Sequence, residues 1–315
     1  MKRYNDEEYR ALIEMLIDDT FYVQSKYYDN KIHQIRKYTE IIVRRLTNYR
    51  CDYKLMLGHS NTTAELKKHG VLEKDSFFWD SLAVIIEKGN TRSHVQQTVL
   101  ATEEEYNRVV DSLFNLYAYL FIRFFRQYAF GQNLEIVTAF SILPPIIRYK
   151  VLNELYKEDP SNMLLVEKLV LSVQKAFDKE SAFEWIENHK NELLFMKQGV
   201  PDEQKEIFTA QFGKEYAEVI IQSLTDNYYN ILSQKVKKIA ESIENRGVLY
   251  KDFEDAVSYY KMYGIVDGTE QDVQDFNSIM EFVYIGRKER EKELVKNTDS
   301  DYMLDRVVLF MKPEF

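Results

Sequence analysis

The chain has 315 residues, a length that predicts two domains. Its 10 Gly and 5 Pro are too few for the many turns of an all-β protein, so we expect long helices joined by short loops. A single cysteine, Cys51, excludes an intramolecular disulfide framework and a zinc site built from cysteines. The net charge is −9. Residues 1–131 hold 19 basic and 18 acidic side chains, whereas residues 132–315 hold 23 basic and 33 acidic ones. Because an acidic surface repels nucleic acid, any nucleic-acid contact is expected in the first 131 residues.

Apolar periodicity predicts a first helix over residues 6–29 and a second over residues 30–50. The second helix carries Ile32, Ile35 and Ile42 on one buried stripe. A different face carries Arg36, Glu40 and Arg44, spaced for ion pairs one helical turn apart. This charged face is either a solvated, salt-bridged surface or part of a ligand site.

Three further helices are predicted before residue 132. A short helix covers residues 62–69, and the next runs from Asp75 to Lys88, where Gly89 and Asn90 predict a turn because both accept left-handed backbone angles. The last begins after the cap residue Thr102 and ends before Gly131. Its segment 113–125 is apolar on more faces than one small bundle buries, so we expect it to pack on the second domain or across a two-fold interface, and we expect a homodimer.

The remainder, residues 132–315, is predicted to be a helical domain of unknown type with a sub-boundary near 247–270. Pro144-Pro145 begins a helix that ends near Tyr156. Further helices are predicted at 162–177, 180–198, 202–212, 214–245, 250–262, 270–296 and 300–310. The longest nearly apolar stretch, 137–147, is too short to span a bilayer, and the charged N-terminus does not resemble a signal peptide. We therefore expect a cytoplasmic protein with no membrane partner.

Motifs for several chemistries are absent from the sequence. It has no glycine-rich phosphate loop ending in Gly-Lys-Ser/Thr and no glycine triplet of a dinucleotide site. No predicted helix carries two histidines at metal spacing beside a glutamate. We therefore expect neither a cofactor nor a metal ion.

One constellation in the first 131 residues resembles a known superfamily. The helical segment Ile35-Arg36-Lys37-Tyr38-Thr39-Glu40-Ile41-Ile42-Val43-Arg44-Arg45-Leu46 is followed by Lys88-Gly89-Asn90-Thr91-Arg92-Ser93-His94. Together they resemble the HEPN superfamily over roughly residues 5–130, and most of all its uncharacterised branch found in restriction-type and other bacterial defence proteins. The resemblance implies a HEPN-like helical bundle over residues 1–131.

The resemblance also implies a site. Many HEPN domains are metal-independent ribonucleases that dimerise and pool an Arg…His motif, whereas others bind only nucleotides or partner proteins. In this chain it makes His94 the catalytic base for a ribose 2′-hydroxyl, with Lys88 or Arg92 stabilising charge on the phosphate. The ligand-binding residues it implies are Arg36, Arg44, Gly89 and Asn90.

Two functions remain open from the sequence. Lys88 stands where the family pattern has Arg, and Lys lacks the planar guanidinium fork, so the sequence favours a non-catalytic interaction or regulatory protein. Such a protein would belong to a bacterial defence, phage or toxin-related system. It would act through dimerisation and partner binding, with RNA or a nucleotide as a further ligand of the N-terminal half. The alternative is a HEPN-type ribonuclease. It is also open whether Asn90 and His94 serve only to fix the helix crossing by hydrogen bonds.

Overall fold

The structure, a computed structural model, describes residues 5–49, 54–91, 99–197, 202–224 and 227–290. About three-quarters of these residues are helical, and the fold is all-α, as the sequence predicts. The β pairing within the described ranges is a single isolated bridge between Lys197 and Asn227. None of the helices described has the length and apolar character needed to cross a membrane.

Fifteen α-helices and one π-helical turn make up the described fold. The α-helices are α1 (Asp6–Ile17), α2 (Tyr28–Thr47), α3 (Ser60–Lys68), α4 (Ser76–Thr91), α5 (Glu103–Gln127), α6 (Leu134–Phe140), α7 (Pro145–Glu158), α8 (Met163–Ala176), α9 (Lys179–Asn188), α10 (Lys190–Phe195), α11 (Asp202–Phe212), α12 (Lys214–Leu224), α13 (Tyr228–Arg246), α14 (Phe253–Tyr263) and α15 (Gln271–Tyr284). The π-helical turn, Asp18–Tyr22, follows α1 directly, where the sequence predicts a continuous helix to residue 29.

These helices form two compact units. The first contains the described residues up to Leu143 together with 252–290, and the second is Pro144–Lys251. The sequence prediction places the boundary at 131/132 and assigns everything after it to one domain. The structure instead returns residues 252–290 to the first unit, because the fully buried Phe276 of α15 packs against α5, with ring centroids 5.6 Å from Phe124 and 6.1 Å from Phe121.

The apolar faces of α5 are covered inside the first unit. The residues of segment 113–125 are buried apart from Phe114, Asn115 and Arg123. Phe253 of α14 contacts Tyr117 at 5.9 Å between ring centroids, and Phe140 of α6 contacts Phe125 at 5.2 Å. The surplus apolar surface predicted for α5 is therefore buried largely by α6, α14 and α15, which all lie beyond residue 131.

A buried arginine joins residues 252–290, the returning segment, to the N-terminal helices. Arg287 follows α15, and its guanidinium carbon lies 4.3 Å from the ring centroid of Phe21 and 4.2 Å from that of Phe253. Its Nη2 donates to Tyr117 Oη at 3.2 Å, and its Nη1 lies 3.6 Å from Glu254 Oε1. Phe21, which contacts this cation, belongs to the π-helical turn. The predicted first helix does not continue to residue 29, because Val23 after this turn has an extended backbone.

Several predicted helices are divided or shortened in the structure. The predicted helix 214–245 is two helices, because Asn227 caps α13 by accepting a hydrogen bond from the Asn230 N–H at 3.0 Å. The predicted helix 180–198 is α9 and α10. The predicted helix 270–296 ends at Tyr284, since Gly286 adopts φ of +72° and a Cβ there would lie 2.9 Å from Glu14 Cα. The predicted helix 300–310 lies outside the described residues.

A buried carboxylate fixes the start of α4 against α5. Asp75 accepts hydrogen bonds from Arg126 at 2.9 and 3.1 Å, from Tyr119 Oη at 2.5 Å and from the Leu72 N–H at 3.0 Å. Burial raises the pKa of Asp75, but these donors outweigh it and hold the pKa below its ordinary value. Asp75 therefore stabilises the fold only while it is ionised.

We expect Asp75→Asn to lower the free energy of unfolding by roughly 3 kcal/mol at pH 7, because Arg126 loses its buried anionic partner. The folded pKa is lowered, so this contribution is present above the ordinary carboxyl range and is lost as pH falls through the folded value. Urea titrations from pH 7 downwards should show a shrinking difference in the free energy of unfolding between the wild type and Asp75→Asn. The exposed Asp80→Asn is the control, and a wild-type advantage that is constant with pH would contradict the assignment.

Candidate functional site

The candidate site lies where α2 and α4 pack together. Helix α2 forms because Ile32, Ile35 and Ile42 recur on one face and are fully buried. Its next face carries Arg36, which meets the last turn of α4. The structure thus brings together two parts of the predicted site that are more than fifty residues apart in sequence.

Arg36 is held from both helices. Its Nε donates to Asn90 Oδ1 at 3.0 Å, and its Nη1 donates to Glu40 Oε1 at 3.2 Å. The Arg36 side chain is 20% exposed and that of Glu40 30%, so the ion pair is half-buried rather than fully solvated. Asn90 therefore ties α4 to α2 by a side-chain hydrogen bond, which is the helix-fixing role that the sequence leaves open.

Gly89 does not make a turn, contrary to the sequence prediction. Helix α4 continues through Gly89 and Asn90 to Thr91. A Cβ on Gly89 would lie 2.4 Å from Cδ and 2.9 Å from Cβ of Arg36. Glycine is present here because the Arg36 side chain crosses directly over the helix backbone, which is a requirement of space and not of backbone angle.

Lys88 is paired with carboxylates. Its Nζ lies 3.1 Å from Glu105 Oε1 and 3.5 Å from Glu87 Oε1, with the Lys88 side chain 22% exposed. Glu105 also belongs to the capping box of α5, where its Oε2 accepts from the Thr102 N–H at 3.2 Å and its own N–H donates to Thr102 Oγ1. Lys88 therefore links the end of α4 to the start of α5.

Arg44 lies two turns further along α2 and is half-buried. Its positive charge acts on Glu40, as does that of Arg36. Burial raises the pKa of Glu40 above its ordinary value, and the two arginines oppose that shift. Arg36, Glu40 and Arg44 thus form the alternating charged row that the sequence predicts, and its central carboxylate is partly withdrawn from water.

The two remaining predicted residues, His94 and Arg92, lie outside the described residues. Their convergence with Arg36 and Lys88 stays a prediction. Within the described part of the chain, no group of three or more His, Cys, Asp or Glu side chains is arranged to hold a metal ion. The described geometry of the site is therefore a set of matched charges: Arg36 with Glu40, and Lys88 with Glu105.

Sequence reasoning missed a second polar feature of the first unit, a cleft of about 420 Å³ between α2, α5 and α15. Arg123 of α5 and Asp275 of α15 line it. A signal for the first residue was present, because Arg123 interrupts the otherwise apolar run from Leu116 to Phe125. No local pattern could pair it with Asp275, which follows about 150 residues later.

Comparison with known proteins gives no relative: no protein-family model matches the chain, and no curated protein or solved structure matches it.

Gly89→Ala provides a direct test of the crossing of α2 over α4. Alanine in a helix interior normally stabilises by about 1 kcal/mol relative to glycine. Here we expect a net loss of roughly 1–3 kcal/mol in the free energy of unfolding, because the new methyl group overlaps the Arg36 side chain.

The double variant Gly89→Ala/Arg36→Ala supplies the control. Removing the Arg36 side chain makes room for the methyl group, so the penalty of Gly89→Ala should disappear in that background. Chemical unfolding of the wild type, the two single variants and the double variant measures this coupling. Additive effects would show that Arg36 does not pass over Gly89.

Proposed function

We propose that the chain is a non-catalytic interaction protein that acts through self-association and partner binding. The setting in a bacterial defence, phage or toxin-related system rests on the HEPN resemblance of residues 5–130. The observation that carries the non-catalytic assignment is the charge pairing at the candidate site. Arg36 and Lys88, two cations assigned there to ligand or phosphate, are each engaged by carboxylates of the same unit.

This pairing weakens a ribonuclease mechanism on physical grounds. Stabilising the charge that develops on a phosphate requires a cation whose field is not already neutralised. A phosphate approaching Lys88 would have to displace or be repelled by Glu105 and Glu87, whose carboxylates lie within 3.5 Å of its ammonium group. Arg36 is further restrained by Asn90 and by its passage over Gly89. The HEPN-type ribonuclease, using His94 with Lys88 or Arg92, remains the second candidate.

Incubation with total RNA in the presence of EDTA separates the two functions. We expect the purified protein to leave the RNA intact, because the paired cations give the phosphate no stabilisation. His94→Ala is the control for a contaminating nuclease. RNA cleavage by the wild-type protein that His94→Ala abolishes would overturn the non-catalytic assignment and establish the ribonuclease.

The surface that supports self-association is a helical hairpin in the second unit, formed by α11 and α12. The two helices pack mainly on each other. The hairpin is an excursion from the unit, because its flanking residues Lys197 and Asn227 form the isolated bridge and the Tyr228 N–H donates to the Met196 carbonyl at 2.9 Å. The residues on either side of the hairpin therefore lie next to each other in the second unit.

The hairpin exposes apolar side chains that a separate pair of helices cannot bury. Tyr216 is 71% exposed, Phe212 51% and Ile207 44%, and Phe195 next to the hairpin base is 88% exposed. Two hairpins can cover such faces by pairing as a four-helix bundle about a two-fold axis. We therefore assign a second copy of this chain as the occupant of this surface.

Light scattering over a micromolar concentration series tests this assignment. We expect a dimer that Phe212→Ser/Tyr216→Ser converts to a monomer, while Met262→Ser, which changes a 61% exposed residue of the first unit, leaves it intact. Residues 202–224 hold five acidic and two basic side chains, so added salt should screen the repulsion and strengthen the dimer. A wild-type monomer throughout, or a dimer that survives the double substitution, would rule out the hairpin.

A further inference from the structure

The cleft between α2, α5 and α15 has the size of a small-molecule site and a lining of both polar and apolar side chains. Its volume of about 420 Å³ lies within the roughly 300–1,000 Å³ that such sites occupy. Leu46, Leu120 and Phe124 line it with apolar surface, and each is at most 7% exposed as a residue. Polar groups from α5 and α15 surround this apolar part, and two of them carry unmatched charges.

Arg123 supplies the first unmatched charge. Its Nη2 donates to the His69 carbonyl at 2.7 Å, and its Nη1 reaches the Leu46 carbonyl at 3.4 Å. No carboxylate of the described residues lies within ion-pair distance of it, although Asp75, which is paired with Arg126, acts on it from further away. Burial is the largest effect and lowers the pKa of Arg123 without removing its charge. Arg45 on the same cleft differs, because it is paired with Asp6.

Asp275 supplies the second unmatched charge. It accepts hydrogen bonds from Tyr128 Oη at 3.0 Å and from Gln271 Nε2 at 2.7 Å. Both donors are neutral, and no Lys or Arg in the described ranges forms an ion pair with this carboxylate. The cleft thus presents one half-buried cation and one half-buried anion that do not pair with protein groups of opposite charge.

We propose that this cleft binds an amino-acid-like zwitterion. The ligand's carboxylate pairs with the Arg123 guanidinium through charge-assisted hydrogen bonds, and its ammonium pairs with Asp275. Its apolar portion covers Leu46, Leu120 and Phe124. A simple anion would satisfy Arg123 and leave Asp275 without a cation, and a simple amine would do the reverse, so a ligand carrying both charges fits this lining best.

Calorimetric titration of the full chain tests the proposal with two zwitterions, L-phenylalanine and 6-aminohexanoate, whose charges are separated by different distances. Hexanoate and hexylamine are the matched half-ligands. We expect at least one zwitterion to bind at least tenfold more tightly than either half-ligand. Arg123→Gln and Asp275→Asn should each weaken that binding at least tenfold, whereas Arg108→Gln, at an exposed position of α5 away from the cleft, should not change it.

The outcomes that overturn the proposal are distinct. Failure of both zwitterions to bind at millimolar concentration would reject it, and equal binding of hexanoate would reject the role of Asp275. Arg123→Gln also removes two hydrogen bonds to backbone carbonyls, so its melting curve is measured first. If that variant is unfolded, Asp275→Asn decides alone, because asparagine keeps an acceptor for Tyr128. The dimer of the second unit is scored separately by light scattering, so either proposal can fail without the other.

Discussion

The first unit depends on the burial of Arg287 between Phe21 and Phe253. Taking an isolated guanidinium out of water costs several kcal/mol, so the position is tolerated only because ring faces, the Tyr117 hydroxyl and the Glu254 carboxylate surround it. These groups come from three distant parts of the chain. Nη1 and Nη2 of Arg287 have their polar partners only when α14 packs against α5 beside the π-helical turn, so these contacts favour one arrangement of residues 252–290.

Neighbouring contacts act in the same direction. Tyr22 Oη donates to Glu254 at 2.6 Å, and Lys288 forms an ion pair with Asp18, so the π-helical turn contacts both ends of the returning segment. The position of α15 also determines the lining of the cleft. Asp275 lies on α15 and Arg123 on α5, so the cleft exists only because residues 252–290 return to the N-terminal helices.

The two polar regions of the first unit use charge in opposite ways. At the crossing of α2 and α4, Arg36 and Lys88 each have an acidic partner, and those pairs hold helices together. In the cleft, Arg123 and Asp275 have only neutral hydrogen-bond partners among the described residues. A half-buried charge without a counter-charge is costly to the folded protein and favourable to a ligand of opposite charge. This contrast is why the motif region is assigned to structure and the cleft to binding.

The sequence predicted those features of the fold that depend on neighbouring residues. The buried stripe of α2, the cap of α5 at Thr102 and the charged row Arg36–Glu40–Arg44 all follow from spacings of three or four residues. The predicted turn at Gly89 is wrong, because a glycine needed for a turn and one needed for close packing look alike in sequence. The Arg36 side chain that passes over it comes from another helix.

Features that depend on distant residues could not be predicted. Phe21 and Arg287 carry no local signal of their contact, and a continuous helical pattern over 214–245 hides the break that separates α12 from α13.

The location of the hairpin formed by α11 and α12 bears on the proposed self-association. The hairpin is flanked by the paired residues Lys197 and Asn227. It can therefore associate with another copy without rearranging the other helices of the second unit. The cleft, by contrast, is formed by helices that the core of the first unit fixes in place. The proposed ligand binding and the proposed self-association therefore rest on separate units and on different kinds of surface. The first rests on two charges without an ion-pair partner in a cleft of the first unit, and the second on exposed aromatic side chains of α11 and α12.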